Sequence, residues 1–163
     1  MSHPTRFLFV CMGNICRSPM AEGIFRERAL AAGLEEGDAG DFISDSAGTS
    51  AYHIGDPPDE RATALLIERG INISTFRARQ AVVQDFEEFD HVLAMDRQNL
   101  ANLERLVPLG STSPKLFLEY GSGAKTDEIP DPYYGSGNGF EICFELIDNA
   151  VQGLLRTYFD IRA

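Results

Sequence analysis

The residues that could do chemistry are concentrated in one short loop, between Cys11 and Ser18. Cys11 directly follows an apolar, β-prone segment over 6–10, and Ser18 with Pro19 is typical of a helix start, with Ser18 as the N-cap. A strand, a tight turn and a helix N-terminus direct backbone N–H groups and the helix dipole at one point, which favours an anion. A cysteine there should be a thiolate at neutral pH, and the planar guanidinium of Arg17 matches phosphate oxygens. The loop therefore predicts covalent phosphate transfer with Cys11 as nucleophile, because a buried structural cysteine would give no reason for Arg17.

Other residues of the loop have supporting roles in this hypothesis. Gly13 and Asn14 tolerate left-handed backbone angles and suit a tight turn, and the Asn14 side chain can fix the turn by hydrogen bonds. The Ser18 hydroxyl can hydrogen-bond the thiolate as well as cap the helix. Cys16 has two equally supported interpretations: a small apolar filler, or the partner of Cys11 in a reversible disulfide that protects the nucleophile from over-oxidation.

Hydrolysis of a phosphate ester also needs a proton donor for the leaving group, and the candidate is Asp131. Two prolines flank this aspartate and hold it in a stiff loop, although an ordinary Asp-Pro turn would give the same pattern. Asp96 is another possible acid, but its position favours a helix N-cap. Three tyrosines could stack on a flat aromatic leaving group, or could be ordinary partly buried surface: Tyr52, Tyr133 and Tyr134.

The elements that must position these residues alternate along the chain. Apolar, β-prone segments predict strands over 6–10, 42–47, 91–95 and 115–118. Amphipathic spacing predicts helices over 18–30, 59–69, 82–89, 97–106 and 140–159. This order predicts an α/β fold, a parallel sheet covered by helices on both faces. Ligands of such sheets bind at the carboxyl ends of the strands, an edge that would gather Cys11, Arg17, Tyr52, Asp96 and Asp131.

Length, charge and cysteine content exclude several classes of protein. A chain of 163 residues suits a single domain over 1–163. The net charge of −11 argues against non-specific binding to nucleic acid or to an anionic membrane. No apolar run approaches a membrane span, and residues 1–5 are too short and polar for a signal peptide, which predicts a cytoplasmic protein.

The sequence patterns assign no chemistry to the remaining cysteines and histidines. Three cysteines do not form a disulfide framework, and neither a histidine nor a second cysteine pair near Cys11 and Cys16 completes a zinc site. Cys143 lies among apolar residues of the last helix, which favours core packing. His53 and His91 have no evident partner in the sequence, so we expect them to be structural.

Two motifs resemble those of a known family. The segment from Val10 to Glu22 closely resembles the signature of the low-molecular-weight protein tyrosine phosphatases, and Asp131-Pro132-Tyr133-Tyr134-Gly135 resembles the general-acid loop of the same family. Further matches follow in the same order at 45–50, 55–59, 78–80 and 94–100. The resemblance thus covers nearly the whole chain, and the combination of the two motifs is highly specific.

The resemblance implies a fold, a reaction and a set of roles. The fold would be a four-stranded parallel sheet with helices on both faces, and the reaction would be phosphotyrosine hydrolysis through a cysteinyl-phosphate, without metal or organic cofactor. Cys11 would be the nucleophile, Arg17 the phosphate clamp, and Asp131 first the acid and then the base. Cys16 gains weight as a redox partner of Cys11. The phosphate or another oxyanion would lie in the backbone cradle of Met12, Gly13, Asn14, Ile15, Cys16 and Arg17; Asn14, Ser18 and Ser46 would hold the loop; and Tyr52, Tyr133 and Tyr134 would line the entrance.

Three other functions compete with this one. Arsenate reduction on a similar cradle needs further cysteines to relay a disulfide, and none lies between Cys16 and Cys143. Phospho-arginine phosphatases resemble this loop but tend to carry threonine where this chain has Ile15, and smaller residues after the Asp-Pro. Ile15 and the Tyr133–Tyr134 pair therefore favour an aryl phosphate, as in a phosphotyrosine protein. A non-catalytic phosphate-binding module would not need a cysteine, an arginine and a placed aspartate together.

Overall fold

Four parallel strands form one sheet in the computed structural model, which describes residues 3–123, 126–135 and 137–162. The strands are β1 (Thr5–Cys11), β2 (Phe42–Gly48), β3 (His91–Ala94) and β4 (Lys115–Leu116), in the order β2-β1-β3-β4. The helices are α1 (Arg17–Ala31), α2 (Glu60–Glu68), α3 (Asp85–Glu88), α4 (Arg97–Glu104) and α5 (Gly139–Phe159). The predicted α/β fold with a parallel sheet is confirmed.

Side chains of β1 alternate between the two faces of the sheet, as the pleat requires. Phe7 and Phe9 are fully buried in a core that they share with residues of α1, α2 and α5. Leu8 and Val10 are fully buried on the opposite face, against residues of α3 and α4. Full burial of each such side chain contributes roughly 1.5–3 kcal/mol to the stability of the fold. A shift of β1 by one residue would move every side chain to the opposite face, so this burial fixes the register of the strand. The strand therefore presents Cys11 at a defined position at its carboxyl end.

Several predicted element ends differ from the structure, and two of these differences matter for the site and the core. Helix α1 begins at Arg17 with Cys16 as its N-cap residue, so Ser18 is not the cap; its hydroxyl lies instead beside the Cys11 sulfur. Strand β4 has only two residues, because Phe117–Tyr120 forms a 3-10 helix where a longer strand was expected. This turn buries Phe117 and Leu118 in the core beside α5. Among the described helices, none combines the length and the apolar character that a membrane span requires.

Candidate active site

The loop after β1 wraps around the sulfur of Cys11. Asn14 adopts the left-handed backbone conformation, with φ of 59°. This turn points the Asn14 N–H at Cys11 Sγ, at 3.2 Å, while the Ser18 hydroxyl lies 3.0 Å from the same sulfur. Within the described residues no side chain caps the first turn of α1. Its N–H groups are therefore available to an anion held above Cys11.

A hydrogen-bond network behind the loop sets the direction of the Ser18 proton. The backbone N–H of Arg79 donates to Asn14 Oδ1 at 2.9 Å, which fixes the orientation of the amide. Asn14 Nδ2 then donates to Ser18 Oγ at 2.8 Å and to Ser46 Oγ at 3.0 Å. Because Ser18 Oγ accepts from the amide, its own proton is free to point at Cys11 Sγ; the other acceptor in reach, a backbone carbonyl, is 3.4 Å away. A donor aimed at the sulfur stabilises the thiolate over the thiol.

The network ends on a carboxyl group that sequence reasoning did not assign. Ser46 Oγ donates to Glu22 Oε1 at 2.7 Å. Burial of this side chain raises the pKa of Glu22 to about 7, and the hydrogen bond from Ser46 only partly offsets that effect. Glu22 lies inside the signature segment of the sequence, but its contact is with a serine 24 residues away.

Arg17 is held from behind by two acceptors. Its side chain is 3% exposed, and Nη1 donates to Asp96 Oδ2 at 2.6 Å and to the carbonyl of Ile129 at 2.9 Å. The second terminal nitrogen, Nη2, lies 3.6 Å from Asp131 Oδ2. Asp96 also accepts from the Asn99 N–H at 2.8 Å and so caps α4 as predicted; its bond to Arg17 was missed. Asp96 therefore orients the guanidinium as well as the helix.

The charge of Arg17 is permanent in this setting. Burial alone would lower the pKa of Arg17, but the neighbouring Cys11 and the carboxylates of Asp96 and Asp131 more than compensate and raise it above its ordinary value. By contrast, burial raises the pKa of the Cys16 thiol well above its ordinary value, and the nearby Asp59 adds to this effect. Cys16 therefore stays a thiol at neutral pH. The reversible Cys11–Cys16 disulfide remains a prediction, and both cysteines are free in this structure.

A small, partly open cavity lies above Cys11 and collects residues from three separate parts of the chain. The nucleophile candidate, the arginine and the acid candidate all line it. Its remaining wall comes from the cradle loop, from the turn after β2 and from the segment after Asp131. The lining residues are Cys11, Met12, Gly13, Ile15, Cys16, Arg17, His53, Asp131, Tyr133 and Tyr134.

Most of the predicted site residues thus lie together, and one does not. Asn14, Ser18 and Ser46 are buried behind the cradle, where they support it. Tyr52 is 85% exposed and does not line the cavity, so the structure does not place it at the entrance as expected. His53 occupies that wall instead, because its ring packs on the loop: a Cβ added to Gly13 would lie 3.0 Å from His53 Cδ2.

His53 was predicted to be structural because the sequence showed no partner for it, but the structure gives it a partner in Asp56 and a place on the cavity wall. Its Nδ1 lies 3.1 Å from Asp56 Oδ2, which holds the ring in place beside the cavity. The available signal was an aspartate three residues later in the same turn. Cys143 is fully buried, as predicted, and its thiol also donates to the carbonyl of Pro130 at 3.1 Å, directly before Asp131.

The geometry supports a defined chemistry. The sulfur receives two hydrogen-bond donors and faces a cavity with a permanent cation and a carboxyl group at its wall. Backbone N–H groups and a guanidinium can hold a tetrahedral oxyanion against the sulfur, and a carboxylic acid can protonate a leaving oxygen. Over the described residues, no group of histidine, cysteine and acidic side chains has an arrangement that could hold a metal ion.

Comparisons with known proteins agree on one family. The family profile described as low molecular weight phosphotyrosine protein phosphatase matches residues 6–160. The low molecular weight protein-tyrosine-phosphatase YfkJ of Bacillus subtilis is 44% identical over 149 residues, which cover 91% of this chain and 92% of that protein.

Solved structures show the same likeness in three dimensions. The crystal structure of YfkJ from Bacillus subtilis has a TM-score of 0.89 and 38% identity, and the match covers 98% of this chain and 97% of that one. The crystal structure of a Drosophila arginine phosphatase has a TM-score of 0.85 and 33% identity, and the match covers 93% of this chain and 96% of that one.

Proposed function

The chain belongs to the low molecular weight phosphotyrosine protein phosphatase family, and we propose that it hydrolyses phosphotyrosine in proteins, and small aryl phosphates, through a cysteinyl-phosphate on Cys11. The observation that carries this proposal is that Cys11, Arg17 and Asp131 line one cavity, although they come from β1, α1 and a loop more than a hundred residues away. A non-catalytic phosphate-binding module would need Cys11 and Arg17 at most. A nucleophile, a clamp and an acid together serve phosphoryl transfer.

In the first step the Cys11 thiolate attacks phosphorus. The S–P bond forms as the bond between phosphorus and the phenolic oxygen breaks, and the Asp131 carboxyl gives its proton to that oxygen. Arg17 and the N–H groups of the cradle neutralise charge on the three equatorial oxygens. The donors from Asn14 and Ser18 to the sulfur stabilise the thiolate before attack. The tyrosine product then leaves.

In the second step water attacks the cysteinyl-phosphate. The Asp131 carboxylate, which lost its proton in the first step, accepts a proton from this water as the new P–O bond forms. The S–P bond breaks, and inorganic phosphate and the Cys11 thiolate are regenerated. One carboxyl group therefore serves both steps, and no external oxidant, reductant or cofactor enters the cycle.

The shape of the cavity supports an aryl phosphate. Its walls include the apolar side chain of Ile15 and the rings of His53 and Tyr133, against which a flat ring can pack above the phosphate site. The rings of His53 and Tyr133 have centroids 6.2 Å apart. Phospho-arginine is a second candidate, because one structural relative is described as an arginine phosphatase.

The test is hydrolysis of aryl phosphate, a phosphotyrosine peptide and phospho-arginine by wild type, Cys11→Ser and Asp131→Asn. We expect aryl phosphate and the phosphotyrosine peptide to be the preferred substrates. Cys11→Ser should be inactive, and Asp131→Asn should slow turnover by ~10²–10⁴-fold. An inactive wild type, or an active Cys11→Ser, would refute the mechanism. A preference for phospho-arginine would instead reassign the substrate.

We also propose that the protein is cytoplasmic and that residues 1–163 form a single domain. A catalytic thiolate is preserved in a reducing compartment, which supports the cytoplasm, and cell fractionation would test this. The family profile spans residues 6–160, which supports a single domain over 1–163. Limited proteolysis that released a stable internal fragment would contradict the single domain.

A further inference from the structure

Arg61, in the first turn of α2, contacts the loop that carries Asp131. Its Nη2 donates to the carbonyl of Tyr133 at 3.1 Å, and its guanidinium lies 5.7 Å from the centroid of the Tyr133 ring. The same guanidinium lies 4.7 Å from the centroid of the Phe140 ring, in the first turn of α5. Arg61 thus contacts both the segment after Asp131 and the helix that follows it. Neither the sequence patterns nor the mechanism above assigns it a role.

Asp59 connects Arg61 to the cradle. The guanidinium forms a two-pronged pair with the Asp59 carboxylate, at 3.1 Å from Nε to Oδ1 and 2.9 Å from Nη2 to Oδ2. The Asp59 side chain is 11% exposed, so that this planar pair is sheltered on one side. The Asp59 N–H donates to the carbonyl of Ile15 at 2.8 Å, inside the cradle loop.

These contacts form a continuous path between the two halves of the site. It runs from Ile15 through Asp59 and Arg61 to Tyr133, and the Tyr133 N–H donates to Asp131 Oδ1 at 3.0 Å. The two loops are more than a hundred residues apart in sequence, and Asp131 has a side chain that is 34% exposed. Arg17 and Cys143 hold the segment before Asp131, at the carbonyls of Ile129 and Pro130, and this path holds the segment after it.

We propose that Arg61 is a positioning residue, which sets the place of the Asp131 carboxyl relative to the cradle through Asp59 and Tyr133. This inference rests on the proposed function, because it presumes that Asp131 protonates the leaving group. A misplaced acid weakens proton transfer, and the loss grows with the basicity of the leaving oxygen. A loss of cradle geometry or of folding would instead slow all substrates alike.

The variant that removes the guanidinium is Arg61→Met, which keeps an aliphatic side chain of similar reach. The backbone N–H of residue 61 still donates to Asp59 Oδ1, so the cap of α2 survives. A matched control is Arg69→Met. Arg69 lies at the other end of α2 and also stacks on a ring of α5, at 4.5 Å from the centroid of Phe144, but it does not contact the acid loop.

The assay compares kcat/KM for phenyl phosphate, which has a basic leaving group, with that for 4-nitrophenyl phosphate, which has a much more acidic one. For each substrate, kcat/KM reports the steps up to release of the phenol, which are the steps that Asp131 assists as an acid. Arg61→Met should lose ~10-fold on phenyl phosphate and about 2-fold or less on 4-nitrophenyl phosphate, within the range that a misplaced catalytic group can cost. Arg69→Met should match wild type on both substrates.

A double variant separates positioning from other effects. Once Asp131→Asn has removed the acid, adding Arg61→Met should cost little more, because there is no proton left to position. An equal loss on both substrates, or a full additional loss in the double variant, would overturn the role of Arg61 while leaving the proposed function intact.

Two further outcomes are distinguishable from these. If Asp131→Asn matches wild type on phenyl phosphate, the acid assignment fails, and the role of Arg61 fails with it. If Arg61→Met does not fold, as judged by thermal unfolding beside Arg69→Met, Arg61→Lys serves in its place. Lysine keeps a cation near Asp59 but lacks the planar guanidinium. Arg61→Lys should therefore show the same dependence on the leaving group, with a smaller loss of kcat/KM.

Discussion

Replacement of Glu22 by glutamine should stabilise the protein more at pH 8 than at pH 5. Burial raises the pKa of this carboxyl from an ordinary value of 4.5 to about 7. Between these values the folded protein keeps the proton that the unfolded chain releases, so stability falls as the pH rises through this range. Above pH 7 the carboxyl is ionised in both states and the cost is constant.

The size of the effect follows from the same two values. At about 1.4 kcal/mol per pH unit, holding the ionised carboxylate in the fold costs about 3 kcal/mol above pH 7. At pH 5 the cost is only about 1 kcal/mol, because this pH lies just above the pKa of the carboxyl in the unfolded chain. Glutamine keeps an oxygen that can accept from Ser46 Oγ but carries no charge to bury. The gain from Glu22→Gln should therefore grow by about 2 kcal/mol from pH 5 to pH 8.

Urea unfolding at the two pH values measures this gain. Glu27→Gln is the matched control, because Glu27 is exposed on the same helix and should show no comparable growth with pH. The same gain from Glu22→Gln at both pH values, or a loss of stability at pH 8, would refute the assignment of a partly buried, titrating carboxyl.

Two other variants test the support of the site and the packing of the fold. Asn14→Ala removes the donor to Ser18 Oγ, and should lower kcat/KM by up to ~10²-fold while circular dichroism shows an unchanged fold; unaltered kinetics would contradict the network. Gly153→Ala would place a Cβ 1.7 Å from the carbonyl oxygen of Tyr120, and should destabilise the protein by about 3 kcal/mol or more in urea unfolding. Gly139→Ala in the same helix meets only ordinary contacts, at 3.5 Å, so equal effects of the two glycine variants would contradict the packing argument.

Local sequence signals predicted the part of the site that comes from a single segment, the one from β1 to the start of α1. The apolar strand, the turn at Gly13 and Asn14 and the helix start lie within a few residues, so the sequence itself places Cys11 and Arg17 at one point. The end of β1 and the position of α1 differ from expectation by one residue each. Even there, the Ser18 hydroxyl was assigned to the helix cap as well as to the sulfur, and the structure uses it at the sulfur and as an acceptor for Asn14 but not as the cap.

Contacts between distant segments could not be predicted in the same way. The bond from Arg17 to Asp96 spans 79 residues, and both residues already had a local explanation. The choice between Tyr52 and His53 at the cavity depends on how one turn packs against Gly13, which no periodicity encodes. The 3-10 turn after β4 likewise follows from tertiary packing of Phe117 and Leu118 beside α5, which overrides their β propensity.

The most direct test of the central claim is to trap the covalent intermediate. Wild type and Cys11→Ser are mixed with a phosphotyrosine peptide, quenched in denaturant within the first turnover and analysed by intact mass and peptide mapping. The mechanism predicts a mass increase of one phosphoryl group on wild type, located on Cys11, and none on Cys11→Ser. Turnover of the peptide with no phosphorylated enzyme, or a phosphoryl group on any residue other than Cys11, would contradict it.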